Sequence, residues 1–147
     1  MKIAKLDTKE KVLIIAELGN NHEGSYTLAE EMIGLAAQTG ADAVKFQTII
    51  PERLVSIQQR ERIKQLRRFQ LSFDEFSKLA IVAKNEKVIF LSTPFDIESA
   101  LFLNKIVPAY KISSGDNDFQ PLIEVIAKTG KPIIMSTGLI NLDEVKK

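Results

Sequence analysis

Ala41-Asp42-Ala43-Val44-Lys45-Phe46-Gln47 is the stretch on which the fold turns. Side chains in a strand alternate faces, so Val44 and Phe46 point one way while Ala43, Lys45 and Gln47 point the other. A lysine at the end of a buried strand is costly unless it faces an anion or a polar cavity. The same pattern recurs at Ile14-Ile15-Ala16-Glu17, at Ala109-Tyr110-Lys111-Ile112-Ser113 and at Pro132-Ile133-Ile134-Met135-Ser136. Each is a short apolar run that ends in a polar side chain and leads into a loop and a helix. These strand ends are expected to converge on one ligand.

The elements around this stretch follow from local signals. Residues 12–18 are nearly all apolar and read as a buried strand. Gly19 to Ser25 is a loop of turn formers. Ser25 or Thr27 can cap the next helix, whose inward side is read as Leu28, Met32, Leu35 and Ala36, with Gly40 closing it. Residues 48–71 break the rhythm and read as an insertion over the strand ends. Pro51 opens it, and an amphipathic helix carries Ile57, Ile63, Leu66 and Phe69. Ser72-Phe73-Asp74-Glu75 is a capping box for a helix with Phe76, Leu79, Ala80 and Ala83 inward. A third strand is expected over 88–91, then a helix capped by Asp96 and running to about Lys105. A fourth strand spans 109–113, a helix with Pro121 in its first turn ends at Thr129-Gly130, and a fifth strand spans 132–136. Asn141 can cap a last helix, which runs out at Lys147.

Strands alternating with helices imply parallel β/α units joined by right-handed crossovers. No Gly-x-Gly-x-x-Gly follows the first strand and no Gly-Lys-Ser/Thr phosphate loop occurs, which argues against a nucleotide-binding sheet. Polar groups at the C-terminal end of every strand suit a (β/α) barrel of TIM type, whose site lies there. A complete barrel has eight units and about 250 residues. The chain, read as one domain over 1–147, is therefore expected to hold the first five or so units rather than a complete open sheet.

With 147 residues, 45% hydrophobic and 27% charged, the composition is that of an ordinary globular domain. A formal charge of +1 gives no global field for nucleic acid or acidic membranes. The basic stretch from Arg60 to Arg68 reads as a solvated helix face. The absence of cysteine excludes disulfides, thiolate metal sites and a cysteine nucleophile. No signal peptide or membrane-length apolar run is present, so a cytoplasmic location is expected.

Lys45 and Lys111, if they face one mouth, form a double cationic site for phosphate or carboxylate. Ser113-Ser114-Gly115 and Ser136-Thr137-Gly138 are hydroxyl-rich turns whose backbone N–H groups suit anions. Glu17 can act as an acid, a base or a hydroxyl acceptor, or can simply pair with a lysine. Gln47, Asn20 and Asp116 can read sugar hydroxyls. His22, the sole histidine, reads as a loop organiser, since a metal site would want a second imidazole. Asp96 reads as a helix cap.

Five motifs, in order, resemble the N-acetylneuraminate (sialic acid) synthase family: Ile15-Ala16-Glu17-Leu18-Gly19-Asn20-Asn21-His22-Glu23-Gly24, Ala41-Asp42-Ala43-Val44-Lys45-Phe46-Gln47, Ser92-Thr93-Pro94-Phe95-Asp96, Tyr110-Lys111-Ile112-Ser113-Ser114-Gly115-Asp116 and Lys131-Pro132-Ile133-Ile134-Met135-Ser136-Thr137-Gly138. The resemblance covers the N-terminal part of that family's catalytic barrel. It implies condensation of phosphoenolpyruvate with an N-acylated amino sugar of the N-acetylmannosamine type. The enol carbon attacks the open-chain aldehyde, water adds at the adjacent carbon, and the C–O bond to phosphate breaks. A divalent metal, manganese or magnesium, polarises the aldehyde. By the same resemblance Lys45, Thr93, Lys111, Ser114 and Ser136 match phosphoenolpyruvate-holding positions. Glu17 matches the acidic residue near the sugar carbonyl, and Gln47 a substrate-side position.

The family's metal-binding histidines, last three strands and C-terminal antifreeze-like domain lie beyond the motifs present here. Phe119 stands where many members have asparagine, two residues before the proline. The chain alone is accordingly expected to be inactive, and to form a homodimer or associate with a complementary half. Two rivals remain: a barrel aldolase with Lys45 or Lys111 as a Schiff base, and a module that binds phosphorylated or sugar-acid ligands or assembles with a separately encoded half.

Overall fold

Each apolar run becomes a parallel strand in the computed structural model, which describes residues 1–138 and 140–146. The elements are β1 (Lys2–Ile3), β2 (Leu6–Asp7), β3 (Ile15–Gly19), α1 (Tyr26–Gln38), β4 (Ala43–Thr48), α2 (Pro51–Leu54), α3 (Arg60–Arg67), α4 (Phe73–Asn85), β5 (Ile89–Pro94), α5 (Ile97–Leu103), β6 (Tyr110–Ile112), α6 (Gln120–Ala127), β7 (Ile133–Met135) and α7 (Leu142–Val145). Strands β3, β4 and β5 form one parallel ladder, β6 and β7 another, and β5 lies against β6. The fold is α/β with parallel strands, and the ladders among the described residues do not close into a barrel. The last helix ends at Val145; Lys147, where it was expected to run out, lies outside the described residues.

Register places the polar strand ends side by side. Glu17 sits opposite Lys45, and Gln47 opposite Thr93. Val44, Phe46 and Phe90 face the helices in the main core with Ile33, Phe76 and Leu79, whereas Ala43, Leu91 and Ala109 join a second cluster on the other face. The alternation read from residues 43–47 is thus realised. It leaves Lys45, Gln47 and Lys111 on the face away from the helices.

Local capping fixes where the helices start. The side chains of Ser25, Ser72, Asp96 and Asn141 each accept a backbone N–H from the first turn of the following helix. Ser72 and Glu75 form the expected reciprocal box. Gly40, at φ +84°, follows α1 in the left-handed conformation that glycine tolerates best.

Several expectations are corrected. The inward face of α1 is Ala29, Ile33 and Ala36, with Met32 packed beside them, while Leu28 and Leu35 are exposed: α1 is rotated so that the 29/33/36 stripe, rather than the 28/35 one, meets the sheet. Val12 and Ile14 precede β3 and are exposed, since β3 pairs only with β4. Ile57 is 79% exposed and lies outside α3, leaving Ile63 and Leu66 as that helix's buried pair. Strand β5 starts one residue later than expected and extends through Ser92-Thr93-Pro94, because β4 supplies a ladder partner as far as Thr48. The hairpin β1–β2 had no counterpart in the sequence reading; its Ile3 is fully buried in the second cluster.

Tyr110 is fully buried between β6 and α5, and its hydroxyl donates to the Ala100 carbonyl at 2.7 Å. Burial pushes its phenol up to about 12. Tyr110→Phe leaves that carbonyl without this donor. The expected loss is about 1–3 kcal/mol of unfolding free energy, read by urea denaturation.

Candidate functional site

The site is built where successive strands end. Lys45, on β4, is 8% exposed. Its Nζ lies 2.8 Å from Glu17 Oε2 on β3 and donates to Thr93 Oγ1 on β5 at 3.2 Å. Three neighbouring strands thus meet at one ammonium. The Glu17 side chain is 54% exposed, so this pair lies at a surface rather than sealed within the core. The register shifts between Glu17 and Gly19, where φ is +55°. A Cβ built on Gly19 would lie 3.3 Å from Glu17 Oε1, so the turn brings the backbone close to the carboxylate.

Lys111, on β6, donates to Ser136 Oγ after β7 at 2.5 Å and to its neighbour's carbonyl, that of Ile112, at 2.6 Å. Burial holds its amine below the ordinary lysine range. The positive charge of Lys45 lowers it further, and Glu17 opposes both. The Lys45 charge thus acts on Lys111 from the neighbouring ladder.

Ser114 is brought to the same end. A Cβ on Gly138 would lie 3.3 Å from Ser114 Cβ, so the loops after β6 and β7 touch. Asn117 staples them by donating to the Gly138 carbonyl at 2.8 Å. That staple was not foreseen, because a single asparagine in a polar loop carries no periodic mark. Asp116 has a buried Oδ2 without a hydrogen-bond partner among the described residues. Its carboxyl is raised by burial first, with a Ser113 hydrogen bond opposing and Asp118 adding to the rise.

Gln47 points to the other side of the group, where its Oε1 accepts from Asn20 Nδ2 at 2.7 Å. Both residues were singled out as polar readers, but their pairing was not legible. Asn20 Oδ1 is buried and has no partner among the described residues. Glu17, Lys45, Thr93, Lys111, Ser136 and Gln47 thus fall at the C-terminal ends of the strands in three linked groups, and Ser114 lies in the loop after β6 against Gly138.

A cleft of about 960 Å³ lies at the opposite end, with Lys5, Asp42, Lys84 and Val88 among its lining. The candidate site is the other end: in parallel β/α units ligands characteristically sit at the C-terminal ends of strands, where the linked polar groups are. Among the described residues no group of three or more histidine or acidic side chains is arranged to hold a metal ion. Glu17 is engaged by Lys45, and His22 Nδ1 accepts from Gly24 N–H. The donor set among the described residues does not fit a divalent ion. No described helix is long and apolar enough to cross a membrane.

Comparison with known proteins gives a consistent picture. Residues 32–147 match the model of the NeuB family. The chain is 36% identical to the N,N'-diacetyllegionaminic acid synthase of Campylobacter jejuni, covering 94% of this chain and 46% of that protein. It is 34% identical to the pseudaminic acid synthase of the same organism, covering 100% of this chain and 47% of that one. A sialic acid synthetase from Leptospira borgpetersenii, solved in complex with citrate, superposes with a TM-score of 0.87 at 33% identity, covering 92% of this chain and 47% of that one. The chain spans less than half the length of each of these relatives.

Proposed function

The chain belongs to the NeuB family, and from that premise we propose that its strand ends hold phosphoenolpyruvate for condensation with an N-acylated amino sugar. The observation that carries the reading is the pair of lysines on β4 and β6, each bonded to a hydroxyl of the next strand or its end. Phosphoenolpyruvate carries a phosphate and a carboxylate, and two ammonium groups with flanking hydroxyls complement both. Lys45 with Thr93 takes one anionic group, and Lys111 with Ser136 and Ser114 takes the other. Glu17 leaves Lys45 as the substrate anion arrives and then faces the reacting sugar carbonyl. Gln47 and Asn20 contact the sugar side.

The condensation forms a carbon–carbon bond between the enol carbon and the sugar aldehyde, consumes water and releases phosphate. The five β/α units are read as the first part of an eight-unit barrel. Activity then needs the remaining strands, whether from a longer chain or from a partner. The metal that the family resemblance implies would be held by those strands.

Calorimetry of phosphoenolpyruvate added to the chain tests the site. Saturable binding that inorganic phosphate competes away is expected; no binding at millimolar ligand would remove the proposal. Phosphate release from phosphoenolpyruvate and N-acetylmannosamine with manganese tests the reaction. It is expected only once a polypeptide carrying the remaining strands is added, and turnover by the isolated chain would refute the division of the site.

The depressed Lys111 amine favours a second reading, imine formation with a keto substrate. Borohydride with pyruvate separates the two: a covalent adduct on Lys111 supports the aldolase, and an unmodified chain supports the synthase.

A further inference from the structure

We infer that His22 is a positioning residue: its Nδ1 fixes Gly24 and so holds the loop that presents Asn20 to Gln47. The imidazole is fully buried, and its Nδ1 accepts from Gly24 N–H at 3.1 Å. With Nδ1 accepting, the neutral ring carries its proton on Nε2, a buried atom with no hydrogen-bond partner among the described residues. The ring packs against Phe46 at 5.9 Å between centroids, which ties the loop to the strand carrying Lys45 and Gln47.

The loop leaves little freedom elsewhere. Asn21, Glu23 and Ser25 donate in turn to the carbonyls of Leu18, Asn20 and His22, making a run of tight turns. Gly24 has φ +82°, and a Cβ there would lie 2.1 Å from the Arg68 carbonyl oxygen. The loop is therefore wedged against the end of α3, and His22 is the side chain that fixes it from beneath. Asn20, two residues away, reaches Gln47 from this loop, donating to its Oε1 at 2.7 Å.

Protonation would turn Nδ1 into a donor facing the Gly24 N–H. Burial pushes the imidazole below its ordinary 6.5, and Glu75 on α4 opposes that shift. Phe46 brings no charge from β4, Arg68 meets the loop through its carbonyl, and Glu23 is the adjacent loop residue. The neutral form therefore holds the loop at neutral pH. The stability it confers is complete above about 6.5 and is lost as pH falls toward the lowered folded value.

The importance of this anchor for substrate rests on the proposed function, whereas its test reads the loop itself. Nitrogen NMR of the imidazole at pH 7 should show Nδ1 unprotonated and Nε2 protonated. Amide exchange over residues 19–25 should rise about tenfold in His22→Phe, which keeps the volume but removes the acceptor, while β4 and β5 amides stay unchanged. His22→Asn places an oxygen near the Nδ1 position; it should restore protection and abolish the acid-side rise in exchange seen in the parent chain. A proton on Nδ1, equal loop exchange in His22→Phe and the parent, or no rescue by asparagine would each overturn the role. Failure of phosphoenolpyruvate binding with these results intact would instead remove only the proposed function.

Discussion

Lys111→Met should weaken phosphoenolpyruvate binding by about 10- to 100-fold and, in the same protein, raise the thermal midpoint. The first effect follows from removing a charge-assisted donor, each such bond contributing about 1.5–3 kcal/mol. The second follows from the cost of the ammonium itself. Burial lowers the Lys111 pKa first, and the nearby Lys45 charge lowers it further. In the unfolded chain an ordinary lysine holds its proton up to about 10.4. Between the lowered folded value and that limit the unfolded state binds more protons, so parent stability rises with pH across this window. Methionine fills similar volume without the charge, so the variant starts more stable and lacks that rise. Anion affinity of the parent should fall earlier on the alkaline side than an ordinary lysine would allow, because the site needs Lys111 protonated. Calorimetry and thermal melts across the alkaline range check both effects; equal affinity in parent and variant would sink the anion-site assignment.

Phe46→Ala should produce the largest loss of stability, about 3–5 kcal/mol, with a fall in the melting midpoint on the order of 10 °C. Phe46 is fully buried. Its ring stacks on Phe90 at 5.6 Å, meets Phe76 edge-on at 6.3 Å and contacts His22. It is the point where three neighbouring elements and the β3–α1 loop meet behind the site. A cavity there removes aromatic contacts and loosens the strand whose adjacent residues are Lys45 and Gln47. Urea denaturation measures the first consequence and phosphoenolpyruvate calorimetry the second. A loss under about 1 kcal/mol would mean that the core closes over the gap, against the close packing described here.

The parallel β/α character and the identity of the polar strand ends were legible in the sequence, because both depend on local rules. Alternation along residues 43–47 assigns faces without reference to any other segment. Ser72 with Glu75, and Asp96 as a cap, announce helix starts within a single turn. Pairing and exposure were not legible, since they are set by neighbours distant in sequence. Leu28 and Leu35 looked inward by spacing, yet the helix presents Ala29, Ile33 and Ala36, because the rotation of a helix about its axis is set by the surface it packs on. The β1–β2 hairpin escaped notice because its two-residue strands are too short to show a period.

The same division holds at the site. By itself the sequence determined that two lysines, a glutamate and several hydroxyls would stand at strand ends, since the side-chain period of a strand is fixed. Only the tertiary structure decided that Glu17 pairs with Lys45 and that Lys45 lowers the Lys111 amine. It alone linked Asn20 to Gln47 and enclosed His22 behind the Gly24 turn. Those relations depend on strand register and on the desolvation created when distant segments pack together, which local patterns do not encode.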